Sequence, residues 1–197
     1  MDVIYQDNDG SGQEALRAIR QSLLGVYPCH SLSFDISKQS WVEFFNGYFN
    51  DRVLPHFIKT WKLLSEGDLD LIIAEDKRFL ELFDEQTSSN LSRASTEIFN
   101  AREGAKGMQM LKKLFLKSPN CSFTTAFSMQ CSAFNIPLLQ SIIAYAFMEW
   151  GCGQKSIRFS LENISECEKL FDSEFPNFTD NIGRLLSQNL GGSKLTA

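Results

Sequence analysis

Histidine is scarce in this chain, with only His30 and His56 among 197 residues. That scarcity thins out the commonest general base and the commonest imidazole metal ligand. Neither histidine follows a glutamate three residues earlier, so the Glu-x-x-His pairs of helical di-iron sites are missing. CxxC, HExxH, P-loop, GxGxxG and EF-hand patterns are missing as well. Positive charge is in deficit, with 19 Lys and Arg against 24 Asp and Glu for a net charge of -5. Such a balance opposes long-range attraction to nucleic acid or to anionic lipid, and Lys112, Lys113 and Lys117 are too small a group to reverse it. No stretch reaches the roughly 18 uninterrupted apolar residues of a membrane span, and the opening MDVIYQDNDGSG lacks the pattern of a secretory leader. The five cysteines, Cys29, Cys121, Cys131, Cys152 and Cys167, are odd in number and widely scattered. They read as reduced core residues, and a cytoplasmic location is expected.

What is present is apolar and aromatic. Hydrophobic residues make up 43% of the chain, including 17 Phe and 3 Trp, enough to build a core without disulfide or metal. Val is sparse while Leu, Phe, Ala, Lys and Glu dominate, which favours helix over sheet. The expected architecture is an all-α, single-domain bundle of about seven to nine helices. It spans residues 1–197, with 1–12 and 191–197 as flexible tails.

Periodicity places the elements. A short helix is expected over Gln13 to Val26, ended by Gly25 and the turn Tyr27-Pro28. Ser40-Trp41-Val42-Glu43 has the form of a capping box, and Trp41, Phe44, Phe45, Tyr48, Phe49 and Val53 follow at helical spacing. Pro55 predicts a kink or a break before Phe57, Ile58, Trp61 and Leu64 resume the period, and Gly67 ends the run. Asp68 is the expected cap of the next helix. A helix from about Ser89 to Leu116 carries a face of small residues, Ala94, Ala101 and Ala105, with Ser95 expected at a close helix crossing. Ser122 to Phe134 forms another, and Pro137 suits the first turn of a helix bearing Leu139, Ile142, Ile143, Phe147 and Trp150. Asn163 and Asn177 open two more, and only Ser156 to Leu161 offers a possible strand.

No ionisable cluster emerges from the one-dimensional pattern. His56 reads as a packed or hydrogen-bonded core histidine. The adjacent Cys29 and His30 supply two ligands where structural zinc takes four. Glu66, Asp68, Asp70, Glu75 and Asp76 read as a solvated acidic face. Met108, Met110 and the aromatic stripes read as packing. No catalytic, cofactor-binding or metal residue is assigned, and a non-enzymatic protein is expected.

Four local patterns then resemble, in order, the urease accessory protein UreF family. Gly25 to Asp35, with His30 and Ser31 at its centre, is similar to that family's Gly-x-Tyr-x-His-Ser-x-Gly-Leu-Glu turn with one extra residue. Arg93-Ala94-Ser95 resembles its Arg-x-Ala-Ser helix. Ala126 to Ile136 followed by Ala144-Tyr145 is similar to its Gly-rich helix and the Ala-Tyr helix after it. Arg158 falls where the family has an Arg before a Pro-Leu-Gly-Gln segment. The departures are Ser33 in place of a glycine, Ser160 to Asn163 in place of Pro-Leu-Gly-Gln, and no Arg-Leu-Phe-Arg-Ser tail after Leu190.

The resemblance implies a helical scaffold, a chaperone of urease maturation that recruits and regulates the GTPase of nickel insertion. It implies a second urease accessory protein, that GTPase and apo-urease as partners, with neither nucleic acid nor membrane. Tyr27, His30, Ser31, Asp35, Arg93, Ser95 and Arg158 become candidate partner-binding residues, although for Arg158 the capping of helix carbonyls is the preferred role. A general helical adaptor and a haem-oxygenase-like helical enzyme, with His30 or His56 as the haem ligand, are the alternatives. Aromatic residues beyond those on the inward stripes, together with the resemblance, predict a homodimer, with Phe115, Phe123 and Phe127 near the contact.

Overall fold

The computed structural model describes residues 38–89, 91–92, 109–133 and 136–152, together with 169, 173–174, 177 and 179–187. Every bounded element among them is helical and none is a strand, which makes the described part all-α. The elements are α1 (Lys38–Val42), a π-helix (Glu43–Val53), α2 (Leu54–Glu66), α3 (Leu69–Leu80), α4 (Gln109–Lys117), α5 (Phe123–Ala133) and α6 (Leu138–Cys152). None of the described helices is long and apolar enough to cross a membrane. The Gln13 to Val26 helix and the Ser156 to Leu161 segment lie outside the described residues.

The aromatic stripe after Trp41 is buried as its spacing predicts, but on a wider helix. In a π-helix each amide reaches back five residues, so positions four and five apart share one face. Trp41, Phe44, Phe45, Tyr48, Phe49 and Val53 are therefore all buried while Arg52 is exposed. Phe45 stacks between Trp41 and Phe49 with ring centroids 6.0 Å apart on either side. Pro55 does not break the helical run: the amide of Leu54 still bonds Phe49 O in the wide register, and Pro55 occupies the first turn of α2, where a missing amide costs least.

Capping follows the sequence at one junction and departs from it at two others. Gly67 takes the left-handed conformation, φ 76°, and its amide bonds Leu64 O while that of Asp68 bonds Leu63 O. This is a Schellman stop. Asp68 at once starts α3 by accepting the Leu71 amide at 3.0 Å. Ser40, however, lies inside α1 rather than before it, and Glu43 is engaged by Gln39 Nε2 at 2.8 Å. The helix expected from Ser89 begins earlier: Asp84 receives the Thr87 amide and hydroxyl, and residues 85–89 and 91–92 are helical.

α5 is the central element. It packs against α2, α4 and α6, while α2 also meets the π-helix, α3 and α6. Phe123, Phe127 and Cys131, one turn apart, enter the larger core with Phe44, Phe49, Phe57, Ile142 and Tyr145. Ala126 and Met129 enter a second core with Ile72, Leu111 and Leu114. Being enclosed on both sides, α5 has no solvent face from Phe123 to Cys131.

That position corrects the dimer-contact assignment. Phe123 and Phe127 are each 1% exposed within the single chain, and both rings face Tyr145. Phe115 is partly buried against the second core. Phe123 and Phe127 are core, because a helix buried all round takes rings on faces that a one-sided stripe leaves out. Phe127→Ala should accordingly lower unfolding free energy by about 3–5 kcal/mol, measured by chemical denaturation. A cost well below 1 kcal/mol would contradict the central placement of α5.

Candidate functional site

The sequence-derived partner residues Tyr27, His30, Ser31, Asp35, Arg93, Ser95 and Arg158 all lie outside the described residues. What the described part brings together instead is two enclosed polar clusters, both anchored on α5. The first joins α2, α3 and α5. Asp76 of α3 is 1% exposed, and its carboxylate sits at the N-terminus of α5. The Ser122 amide meets both oxygens at 3.1 and 3.0 Å, and the hydroxyls of Ser122 and Thr125 donate to Oδ1. Ser122 in turn caps α5 by accepting the Thr125 amide at 3.2 Å. A helix N-terminus favours negative charge and carries amides without helical partners.

His56 of α2 completes this cluster. Its ring lies flat on Phe79 with centroids 4.0 Å apart, and Nε2 stands 2.8 Å from Thr125 Oγ1. The Ser122 and Thr125 hydroxyl protons are both directed at Asp76, so the short contact requires Nε2 to carry a proton and donate to Thr125. Nδ1 then faces Glu75 Oε1 at 3.9 Å and makes no hydrogen bond. Sequence reasoning places His56 correctly as a hydrogen-bonded core histidine.

The acidic stretch is only partly solvated. Asp70 is exposed and pairs with Lys117 at 2.7 Å, in keeping with a solvated face. Asp76 is buried and Glu75 is turned inward, which corrects that reading for both. Glu75 is held down at about 2 by His56 first and by its contact with Lys59, against burial that would raise it. At 3.9 Å the His56 contact is longer than a formed hydrogen bond, whereas Lys59 Nζ touches Oε2 directly. The lysine is the firmer partner.

The second cluster joins the π-helix, α5 and α6. Glu149 of α6 is fully buried, and both Tyr145 and Tyr48 donate their hydroxyls to its Oε1, at 2.8 and 3.2 Å. Thr124 of α5 lies 2.6 Å from the Tyr145 hydroxyl. Burial pushes the Glu149 carboxyl up to about 8, although the two tyrosine hydrogen bonds act in the other direction.

These arrangements are built to hold rather than to react. Ser122 and Thr125 are fully enclosed and their protons are committed to Asp76, so neither is presented as a nucleophile. Among the described residues no group of three or more His, Cys, Asp or Glu is placed to hold a metal ion. Cys121 and Cys131 are buried. Compared with family models, curated proteins and solved structures, the chain matches none.

Asp76 and Glu149 are the two residues that pattern reading misses. A signal existed for each: Asp76 follows Ile72 by four and precedes Phe79 by three, on the buried side of α3, and Glu149 follows Tyr145 by four within a buried helix. Removing the Asp76 carboxylate leaves the Ser122 amide and the Thr125 hydroxyl without their acceptor, and the Ser122 hydroxyl with only Thr125 Oγ1 at 3.2 Å. Asp76→Ala should therefore cost on the order of 3–5 kcal/mol in chemical denaturation, while Asp70→Ala should be indistinguishable from the parent. Equal costs for the two variants would show that the buried network does not anchor α3 to α5.

The lowered Glu75 carboxyl gives a pH dependence of known sign. A group ionised more readily in the folded state stabilises above its ordinary value of 4.5 and stops doing so as pH falls toward 2. Glu75→Gln should flatten the stability profile in that acid window. An unchanged slope would remove the Lys59 and His56 pairing from the account.

Proposed function

We propose that this chain is a non-enzymatic, UreF-like accessory scaffold that acts in urease maturation by binding proteins. The observation that carries the reading is the α5–α6 pair. The Ala126 to Ile136 and Ala144-Tyr145 patterns of the resemblance fall on consecutive helices, and Tyr145 bridges them. Its ring lies 5.9 and 5.4 Å from Phe123 and Phe127, and its hydroxyl meets Thr124. An Ala at 144 and at 146 flanks the tyrosine with small side chains, so the helices approach closely enough for that contact.

In this role the scaffold supplies complementary surface to a second accessory protein and to the maturation GTPase, and the assembly meets apo-urease. Nickel is the cargo of the GTPase. The protein acts in the cytoplasm as a homodimer, with the Tyr27 to Asp35 turn, Arg93, Ser95 and Arg158 available to partners. Exposed Leu71, Leu82 and Leu116 are apolar side chains that an assembly of this kind would cover.

Co-purification of the full chain with the GTPase and the second accessory protein tests the reading. Capture of either is expected, with His30→Ala and Ser31→Ala weakening it by tenfold or more. Failure with both partners by a folded chain would leave a helical adaptor unrelated to urease. Light scattering behind a sizing column should give twice the chain mass of 22.4 kDa, and a monomer at micromolar concentration would remove self-association.

A further inference from the structure

The outward side of the α2–α3 hairpin carries a charge opposite to that of the chain. The two helices run antiparallel through the Gly67 turn, and two contacts fix their register: Lys59 Nζ with the Glu75 carboxylate, and Arg52 Nη1 with Leu82 O at 3.4 Å. On α3, positions 71, 75, 78 and 82 recur at four- and three-residue spacing and so form one stripe. Leu82 joins it through the turn that prolongs α3, where its amide bonds Phe79 O at 3.1 Å. Positions 59, 62 and 66 form the matching stripe on α2.

Arg52, Lys59, Lys62 and Arg78 along this seam are all exposed. The carboxylate among them, Glu75, is turned inward and is already met by Lys59 Nζ and by Arg78 Nη1 at 3.6 Å. Glu66 stands at the turn end of the row. The four cations outnumber these two carboxylates and leave a positive strip on a chain whose net charge is -5. The strip also has apolar ends. Leu71 and Leu82 are 51% and 53% exposed, and a separation of eleven residues places them about 16 Å apart along a helix axis. A nucleic-acid backbone would meet the cations and leave both leucines in water. An amphipathic helix with acidic residues between two apolar ones, three turns apart, covers both features at once.

We propose that the outward face of the α2–α3 hairpin is a docking surface for an acidic amphipathic helix of a partner protein, whose carboxylates meet Lys59, Lys62 and Arg78 and whose apolar side chains cover Leu71 and Leu82. Arg52, held between Leu82 O and the Phe83 ring at 5.6 Å, bounds the far end of the surface. The proposal rests on the reading of the chain as a protein-binding scaffold, and on none of the partners named for it.

A fluorescein-labelled helical peptide of about 15 residues, with leucines three turns apart and glutamates on the same face between them, is the probe. Its anisotropy with the full chain should show saturable binding that weakens about tenfold as salt is raised from about 50 to about 500 mM. The same peptide with lysine in place of glutamate should not bind. The paired reversal Lys62→Glu and Arg78→Glu should weaken binding by about tenfold or more, and Leu71→Ser severalfold. Lys113→Glu, on α4 and outside the strip, should leave the affinity unaltered. Absence of saturable binding, equal binding of the lysine peptide, or unchanged affinity in the paired reversal overturns the proposal. So does binding to phosphatidylserine vesicles in place of the peptide. Should the paired reversal fail to fold, unchanged affinity in Leu71→Ser overturns it. Peptide binding without capture of the maturation GTPase sustains the surface and not the urease reading; capture without peptide binding does the reverse.

Discussion

The Asp76 carboxylate bonded across the first turn of α5 is the interaction on which the described bundle depends. A buried carboxylate is costly unless its oxygens are met by strong donors, and here one amide and two hydroxyls meet it at a helix end of favourable polarity. In meeting that requirement the chain fixes where α5 begins and how it is turned about its axis. Once Ser122 and Thr125 face α3, the rest of the helix has no freedom: Phe123 and Phe127 must enter one core, Ala126 and Met129 the other, and Thr124 must point at Tyr145.

Much of the fold was legible in the sequence because it depends on local chemistry. The stop at Gly67 and the restart at Asp68 need only a residue that tolerates positive φ and a side-chain acceptor three residues before an amide. The inward stripe from Trp41 to Val53 is equally local, and its burial was predictable even though its register was not. Whether a helix winds with four- or five-residue hydrogen bonds is settled by the rings that must share a face, and those rings also meet distant partners. Ser40 shows the limit from the other side: a motif of the right composition does not mark the helix start, because the helix already runs from Lys38.

The polar clusters were hidden for a different reason. Spacing separates apolar from polar faces, and a buried acid counts as polar in that test whatever it touches. Asp76 looks like one more member of an acidic run until Ser122 and Thr125, nearly fifty residues away, are brought against it. Phe123 and Phe127 were misassigned by the same rule in reverse, since a helix enclosed on all sides violates the one-stripe assumption. Only the tertiary partner distinguishes a solvated face from a buried site.

The two clusters also differ in how their carboxyls are met. At Asp76 donors reach both oxygens. At Glu149 the donors reach Oε1 alone, and Oε2 is buried and makes no hydrogen bond. Thr124 and Thr125 are adjacent residues that serve the second and first cluster respectively. A single turn of α5 therefore serves both clusters. The bonds that define the helix start belong to Ser122 and Thr125, and none of them passes through Glu149.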